Sequence, residues 1–242
     1  MKVDMHVHTC YSKDATLSLE TIIESCRLRG LDGVVIADHN TIAGALALQE
    51  IAPCPPAPGL SRARTGWQVP GQATTCQGRP LLVIVGEEID TTKGEILGLF
   101  LKEEIPGGFT PEEAIARIRE QGGLVGVSHP LDRLRRAAMR RVALLDILDE
   151  LDFLEGFNSR VTFPSDNRKA QALAQAHGLP ITAGSDAHTA YEIGQAYLEM
   201  PSFNGRGGFL EALKEGQIFG RLTPPWIHIV TTWTKLRAKL LG

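Results

Sequence analysis

A single α/β barrel is the fold that this sequence predicts, on three observations. Short apolar runs of strand type alternate with helical patterns, the signature of parallel strands joined by helical crossovers. The chain has 242 residues, close to the ~250 that one such barrel takes. Most of the apolar runs also break into His, Asp, Glu or Asn. A parallel barrel opens all its strand C-termini onto one face, so those polar residues would meet at one mouth.

The first run, Val3 to Thr9, alternates so that His6 and His8 share a face. Leu19, Ile22, Ile23 and Cys26 then follow the helical i, i+3, i+4, i+7 spacing, with Ser18 as N-cap and Gly30 as stop. Gly33 to Ala37 is a buried strand that ends in Asp38-His39-Asn40, and Thr41 to about Ala52 reads as helix. From Pro53 to Pro80 neither period is sustained, and the stretch reads as a flexible loop or insertion in which Arg62, Arg64 and Trp67 are solvated. Leu81 to Val85 is a strand ending in Gly86-Glu87-Glu88, and a turn at Lys93-Gly94 leads into a hairpin-like partner, Glu95 to Phe100. Thr110-Pro111-Glu112-Glu113 is a capping box with Pro in the first turn, opening a helix that stops at Gly122-Gly123. Three more strands follow: 124–127 ending in Ser128-His129-Pro130, 153–157 ending in Asn158-Ser159-Arg160, and 180–183 ending in Gly184-Ser185-Asp186-Ala187-His188. Helical stretches lie at 139–148, 170–176 and 209–214, and a last apolar run at 227–230.

Composition narrows the function. A formal net charge of −3 with scattered Lys and Arg argues against stable binding of duplex nucleic acid, although a small phosphate pocket fits. The sequence has no run long enough to span a membrane and begins directly on a strand pattern, so a cytoplasmic protein is expected. Cys10, Cys26, Cys54 and Cys76 form no metal-binding spacing; reduced thiols are expected, with Cys26 in the core.

The chemistry gathers at the strand ends: His6, His8, Asp38, His39, Glu88, His129, Asp186 and His188. Five of the seven histidines lie there, and one metal cluster explains their shared position with a single cause. His177 precedes the helix-ending Gly178 and reads as a C-terminal cap, while His228 sits in an apolar run as a structural residue. So many N and O donors exceed the coordination of one ion, which implies two or three divalent cations, with Glu88 or Glu87 placed to bridge them. Imidazole mixed with carboxylate suits Zn, Mn or Fe. Such a site generates hydroxide at neutral pH and polarises a phosphoryl oxygen, which is hydrolytic chemistry.

The blocks His6-Val7-His8-Thr9 with Ser12 and Asp14, Ala37-Asp38-His39-Asn40, Gly86-Glu87-Glu88-Ile89, Ser128-His129-Pro130 and Gly184-Ser185-Asp186-Ala187-His188 resemble those of the polymerase and histidinol phosphatase (PHP) family of metal-dependent phosphoesterases. The resemblance implies a distorted seven-stranded (β/α) barrel across residues 1–242, with two or three metals at its mouth. It implies His6, His8, Asp14, His39, Glu88, His129, Asp186 and His188 as ligands, with Glu88 bridging. Asp14 enters only through the resemblance, since a loop Asp before a helix otherwise reads as a cap. Many members carry another histidine in the strand after the bridging Glu, and here that strand begins with Glu95. If Glu95 takes that place, a third metal is held by oxygen; if it does not, the site is dinuclear. Arg offers a planar fork matched to phosphate, and the resemblance points to Arg133 or Arg136, together with Arg160 beside Asn158, as substrate contacts.

The expected activity is hydrolysis of a small phosphate monoester or nucleotide by attack of metal-bound hydroxide, with Glu88, His188 and His8 as the groups closest to the chemistry. A 5′-to-3′ exonuclease on short RNA or DNA is the alternative within enzymes; it calls for a basic groove with stacking aromatics, and the sequence is poor in aromatics. A non-catalytic metal-binding module would have lost ligands, and this chain keeps nearly all of them. An amidohydrolase is disfavoured because no Lys stands at a strand end.

Overall fold

The computed structural model describes residues 1–52, 80–224 and 226–227. Arg62, Arg64, Trp67, Cys54, Cys76 and His228, with nearly all of the expected 53–80 loop, lie outside the described residues. The elements are β1 (Lys2–Val7), α1 (Leu19–Leu28), β2 (Gly33–Ile36), α2 (Ala43–Ile51), β3 (Leu82–Thr91), β4 (Gly94–Leu99), α3 (Pro111–Glu120), β5 (Leu124–Val127), α4 (Arg141–Asp146), β6 (Phe153–Asn158), α5 (Pro164–Ala176), β7 (Ile181–Gly184), β8 (Ala196–Glu199), α6 (Gly205–Lys214) and β9 (Gln217–Gly220).

Their order in the sheet is β7-β6-β5-β4-β3-β2-β1-β8-β9. The chain just past β7 returns to β1: the Asp186 N–H donates to the His6 carbonyl at 2.7 Å, the His8 N–H donates to the Ala187 carbonyl at 3.0 Å, and Val7 bridges Ala187 in parallel. Seven strands therefore form a nearly closed barrel. It is distorted because β4 runs antiparallel to both β3 and β5, the geometry of the hairpin that its turn predicts. β8 and β9 extend the sheet beyond β1 in antiparallel pairs. Both are four-residue strands that the sequence periodicity does not mark.

Two apolar layers flank the strands. One joins alternate strand residues such as Val34, Ile36, Ile89, Ile96 and Val125 to Ile22, Leu48, Ile118, Leu144 and Leu173 of the surrounding helices. The other holds Val3, Met5, Val35, Ile84, Leu97, Leu99 and Phe153, with Phe209 and Leu213 of α6, and is the barrel interior. β1 changes phase between them. Val3 and Met5 face inward but Val7 faces the helices, and the β1–β2 register shifts between Asp4 and Val7. That irregularity re-aims the strand, as bulges do, and is what turns His6 and His8 toward the interior. Where β1 meets the end of β7, a Cβ at Gly184 would stand 2.3 Å from His6 Cβ, so only glycine lets the two backbones close there.

The helices form where the capping signals place them. Ser18 accepts from the Thr21 N–H, and Thr110 with Glu113 forms the complete capping box. α5 begins earlier than its apolar pattern, at Pro164, because Pro is suited to a first turn. His177 is its C-cap, as the glycine after it predicts. The expected helix at 139–148 shortens to α4 and a 3-10 turn at Leu148–Glu150. Cys26 is fully buried in the outer layer. Among the described residues no helix is long and apolar enough to cross a membrane.

Candidate metal centre

β1 ends in His6 and His8, β2 leads into His39, β3 carries Glu88, β4 opens on Glu95, β5 leads into His129, and β7 leads into Asp186 and His188. Strand alternation puts Glu95 on the interior face with Leu97 and Leu99, and Phe153 with Glu155. The backbone at His129 and Asp186 is left-handed, with φ of 29° and 53°. Such strain in non-glycine residues concentrates at functional sites.

Glu88 is central. Its Oε2 lies 3.6 Å from His6 Nε2, 3.5 Å from His8 Nε2 and 3.4 Å from His39 Nδ1, and its Oε1 lies 2.8 Å from His129 Nε2. Asp14 Oδ2 stands 3.1 Å from His188 Nε2 and 3.5 Å from His39 Nε2. Asp186 Oδ1 is 3.3 Å from His8 Nε2. Glu95 reaches the same cluster, 3.3 Å from His129 Nε2 and 3.5 Å from His39 Nδ1. The donors fall into three overlapping groups, each with its atoms within 4.8 Å of one another: His8, Asp14, His39 and His188; His6, His8 and Asp186; and His39, Glu88 and Glu95.

The test of fit lies in the donors themselves. His6 and His8 point their Nε2 atoms at each other across 3.1 Å, and Glu88 Oε2, Asp186 Oδ1, Glu95 Oε2 and His39 Nδ1 are buried without a hydrogen-bond partner. Buried polar atoms left this way cost roughly 1–3 kcal/mol each. Convergent lone pairs of imidazole and carboxylate are the donor set of a divalent cation, so the residues fit one.

Surrounding groups set the charge states. Burial and the neighbouring His188 drive His8 down to about 3, so its imidazole is neutral, as a ligand's must be. Burial alone would lower His6, but Glu88, Glu155 and Asp186 outweigh it and hold it well above its usual value. Against the upward push of burial, the histidines around Glu88, and Arg135 with His6 beside Asp186, hold both carboxyls well below the carboxylate range. Burial and the adjacent Glu88 push Glu95 up to about 7.

The arginines divide. Arg133 turns away to Asp166 and Ser165 and stacks over Phe163. Arg136 lines a cavity of about 280 Å³ with Lys93, Arg140 and Glu95. Arg160 is buried, with Nε 3.4 Å from Glu192 Oε1, and Asn158 donates to Glu155 Oε2 at 3.0 Å and Asp186 Oδ2 at 3.2 Å. Both stand behind the ligand-type residues rather than in front of them. The arginine that reaches the cluster is Arg135, whose Nη2 donates to Asp186 Oδ2 at 2.5 Å while its side chain stays 23% exposed. It lies between the two expected arginines, in a loop with no period to show which side chain faces inward.

Glu155 is the second residue that pattern reading misses. It is buried in β6 with Oε1 3.0 Å from His6 Nδ1, and its Oε2 accepts from the His129 N–H and from Asn158. The signal was a charged residue inside an apolar strand, in phase with Phe153. Glu155→Gln would turn an amide NH₂ toward one of these donors. Carboxylates that orient a ligand histidine are worth about 10–100-fold in metal affinity, so we expect a loss of that size in a metal titration, with the fold retained by circular dichroism.

Glu87, the other candidate bridge, points the opposite way. Both of its oxygens accept from the Ile105 N–H, at 3.2 and 3.0 Å. Burial pushes its carboxyl up to about 8. The native state therefore holds the proton more tightly than the unfolded chain, and the associated stability is lost as pH rises from about 4.5 to about 8. Glu87→Gln, which keeps an acceptor for Ile105, is expected to match the wild type near pH 5. At pH 8 it should melt higher, by on the order of 5 °C; equal melting curves at both pH values would refute this.

Fold and site define a class, an α/β barrel with a His, Asp and Glu centre suited to divalent metal, as metal-dependent hydrolases use. The PHP domain model matches residues 4–177 and a PHP-associated model matches residues 164–218; the chain belongs to the PHP family. An uncharacterised protein of Methanocaldococcus jannaschii is 33% identical over 210 residues, covering 84% of this chain and 72% of that one. Among solved structures, a candidate metal-dependent phosphoesterase of Bifidobacterium adolescentis superposes with a TM-score of 0.54 at 18% identity, over 78% of this chain and 88% of that one. Endonuclease Q in complex with a 27-mer duplex bearing an abasic lesion superposes with a TM-score of 0.56 at 18% identity, over 88% of this chain and 56% of that one.

Proposed function

We propose that the protein is a metal-dependent phosphoesterase that hydrolyses a small phosphate monoester or nucleotide at a site for two or three divalent cations. The observation that carries this reading is the placement of Glu88, one carboxylate within 3.6 Å of nitrogens from four histidines, three of which, His6, His8 and His39, are spread over the three donor groups. That is the arrangement of a bridging ligand. Bound divalent cations supply a water of lowered pKa and a Lewis acid for the phosphoryl oxygen.

The chain's own residues bind and orient. His188 Nδ1 lies 2.8 Å from the Asp186 carbonyl, which fixes the Nδ1–H tautomer and leaves Nε2 as a lone pair toward Asp14. His8 likewise presents Nε2 to the cluster, with Nδ1 3.4 Å from Ser12 Oγ. Both rings therefore act as ligands. Arg135 is anchored through one N–H on Asp186, and its other N–H groups have no hydrogen-bond partner among the described residues. A guanidinium so held meets a phosphoryl oxygen without losing its own rotamer freedom. Arg135→Lys is expected to raise KM for a phosphate ester by about tenfold or more, with metal content undiminished; an unchanged KM would remove it from the substrate's contacts.

The deciding experiment is elemental analysis of the purified protein combined with a phosphate-release screen over nucleotides, bisphosphates, histidinol phosphate and short 5′-phosphorylated oligonucleotides, with Mn, Zn or Fe added. Two or more equivalents of metal with phosphate released from a small ester support the reading. Mononucleotides released from oligonucleotides alone would favour the exonuclease, metal without hydrolysis the non-catalytic module. Less than one equivalent of metal with no hydrolysis overturns the reading.

A further inference from the structure

The three donor groups differ in chemistry, and the difference runs across the cluster. The group at one end offers three imidazoles and one carboxylate, from His8, His39, His188 and Asp14. The group at the other end offers two carboxylates, Glu88 and Glu95, with one imidazole. That imidazole is either His39, through Nδ1, or His129, whose Nε2 lies 2.8 Å from Glu88 Oε1 and 3.3 Å from Glu95 Oε2. If His39 commits its Nε2 to Asp14, His129 takes its place. With one ring this end offers two carboxylates to one imidazole and with both rings two to two, in either case a larger carboxylate share than at the opposite end. The same end holds three buried atoms without a hydrogen-bond partner, Glu88 Oε2, Glu95 Oε2 and His39 Nδ1.

Imidazole-rich sets favour zinc, whereas carboxylate-rich sets favour harder ions such as manganese and magnesium and bind them more weakly. We propose that Glu95 makes this end of the centre a distinct site for a hard, exchangeable divalent cation of the manganese class, while the opposite end retains zinc. The proposal rests on the multinuclear reading above and adds to it the identity of the ion at each end and the residue that selects it.

The test is competitive loading of the whole protein, read by metal content and not by turnover. Because zinc binds most N and O sites more tightly than manganese at equal concentration, protein stripped of metal is equilibrated with Mn²⁺ in about hundredfold excess over Zn²⁺, passed over a weak chelator resin, and analysed for both elements, with Mn²⁺ followed by electron paramagnetic resonance before and after the resin. The wild type is expected to carry both ions, the manganese leaving first. Glu95→His should lower the bound Mn to Zn ratio by about tenfold or more, and the near-isosteric Glu95→Gln should lose manganese without gaining zinc. Zinc at every site of the wild type, or a ratio unmoved by Glu95→His, overturns the proposal while leaving the multinuclear centre standing. A wild type that binds neither ion overturns the centre itself, and the proposal with it.

Discussion

Glu88→Gln is expected to lower phosphate release by about a thousandfold or more and to strip most of the bound metal. The carboxylate reaches four of the five clustered histidines, three through Oε2 and His129 through Oε1. A glutamine of the same shape offers one oxygen and one NH₂, and the NH₂ has no lone pair for a cation. Whichever way the amide is turned, one side of the bridge is lost. Folding should survive, because the amide replaces a buried charge by a neutral group of equal volume. Kinetics with elemental analysis on the same preparation check the result; a variant with the wild-type metal complement and rate would show that Glu88 bridges nothing.

Glu88 was legible, as one of the pair Glu87-Glu88, because that pair closes an apolar run where a barrel strand delivers a side chain to the mouth; the family resemblance singled out Glu88. His6, His8, His39, His129, Asp186 and His188 were legible for the same reason, and the structure brings all of them together with Glu88. Asp14 gave no such signal. It lies in the loop after β1, where only the family resemblance pointed to it, and the structure brings it to His39 and His188. Glu155 and Arg135 were hidden by opposite causes. Glu155 sits within a strand whose apolar neighbours mask it, whereas Arg135 belongs to an irregular loop where direction depends on tertiary contacts. The phase change in β1 was hidden too, since alternation read from Val3 places His6 opposite to Met5 but cannot show that Val7 crosses to the helix side. The reversed strand β4 was visible as a hairpin, because a turn at Lys93-Gly94 leaves no room for a crossover helix.

Removing metal with a strong chelator is expected to lower the melting temperature by roughly 10 °C at neutral pH, and the gap should widen as pH rises. The magnitude follows from linkage: a ligand at a thousand times its Kd stabilises by about 4 kcal/mol. The pH dependence follows from the donors. In the metal-free protein burial disfavours the His39 cation, but Glu88 and Asp14 overcome this and raise it to about 10. Its contribution is complete below the ordinary imidazole value near 6.5 and is lost as pH climbs toward 10. Burial and Glu88 raise Glu95 to about 7, so the stability it confers as a neutral acid is lost between about 4.5 and 7. Asp14 and Glu88, held below their usual values, lose stability only on acidification, so they do not oppose the trend above pH 5. His8, lowered to about 3, gains stability as pH rises to about 6.5 and offsets part of the trend only below that value. The metal-free form therefore weakens from about pH 6.5 to 9. Metal binding has the opposite demand, since His39 and Glu95 must give up their protons to become ligands, and the loaded form gains as pH rises. Melting curves with and without chelator at pH 5.5, 7 and 8.5 check the divergence. A gap that closes with rising pH would mean that His39 and Glu95 do not exchange protons for metal.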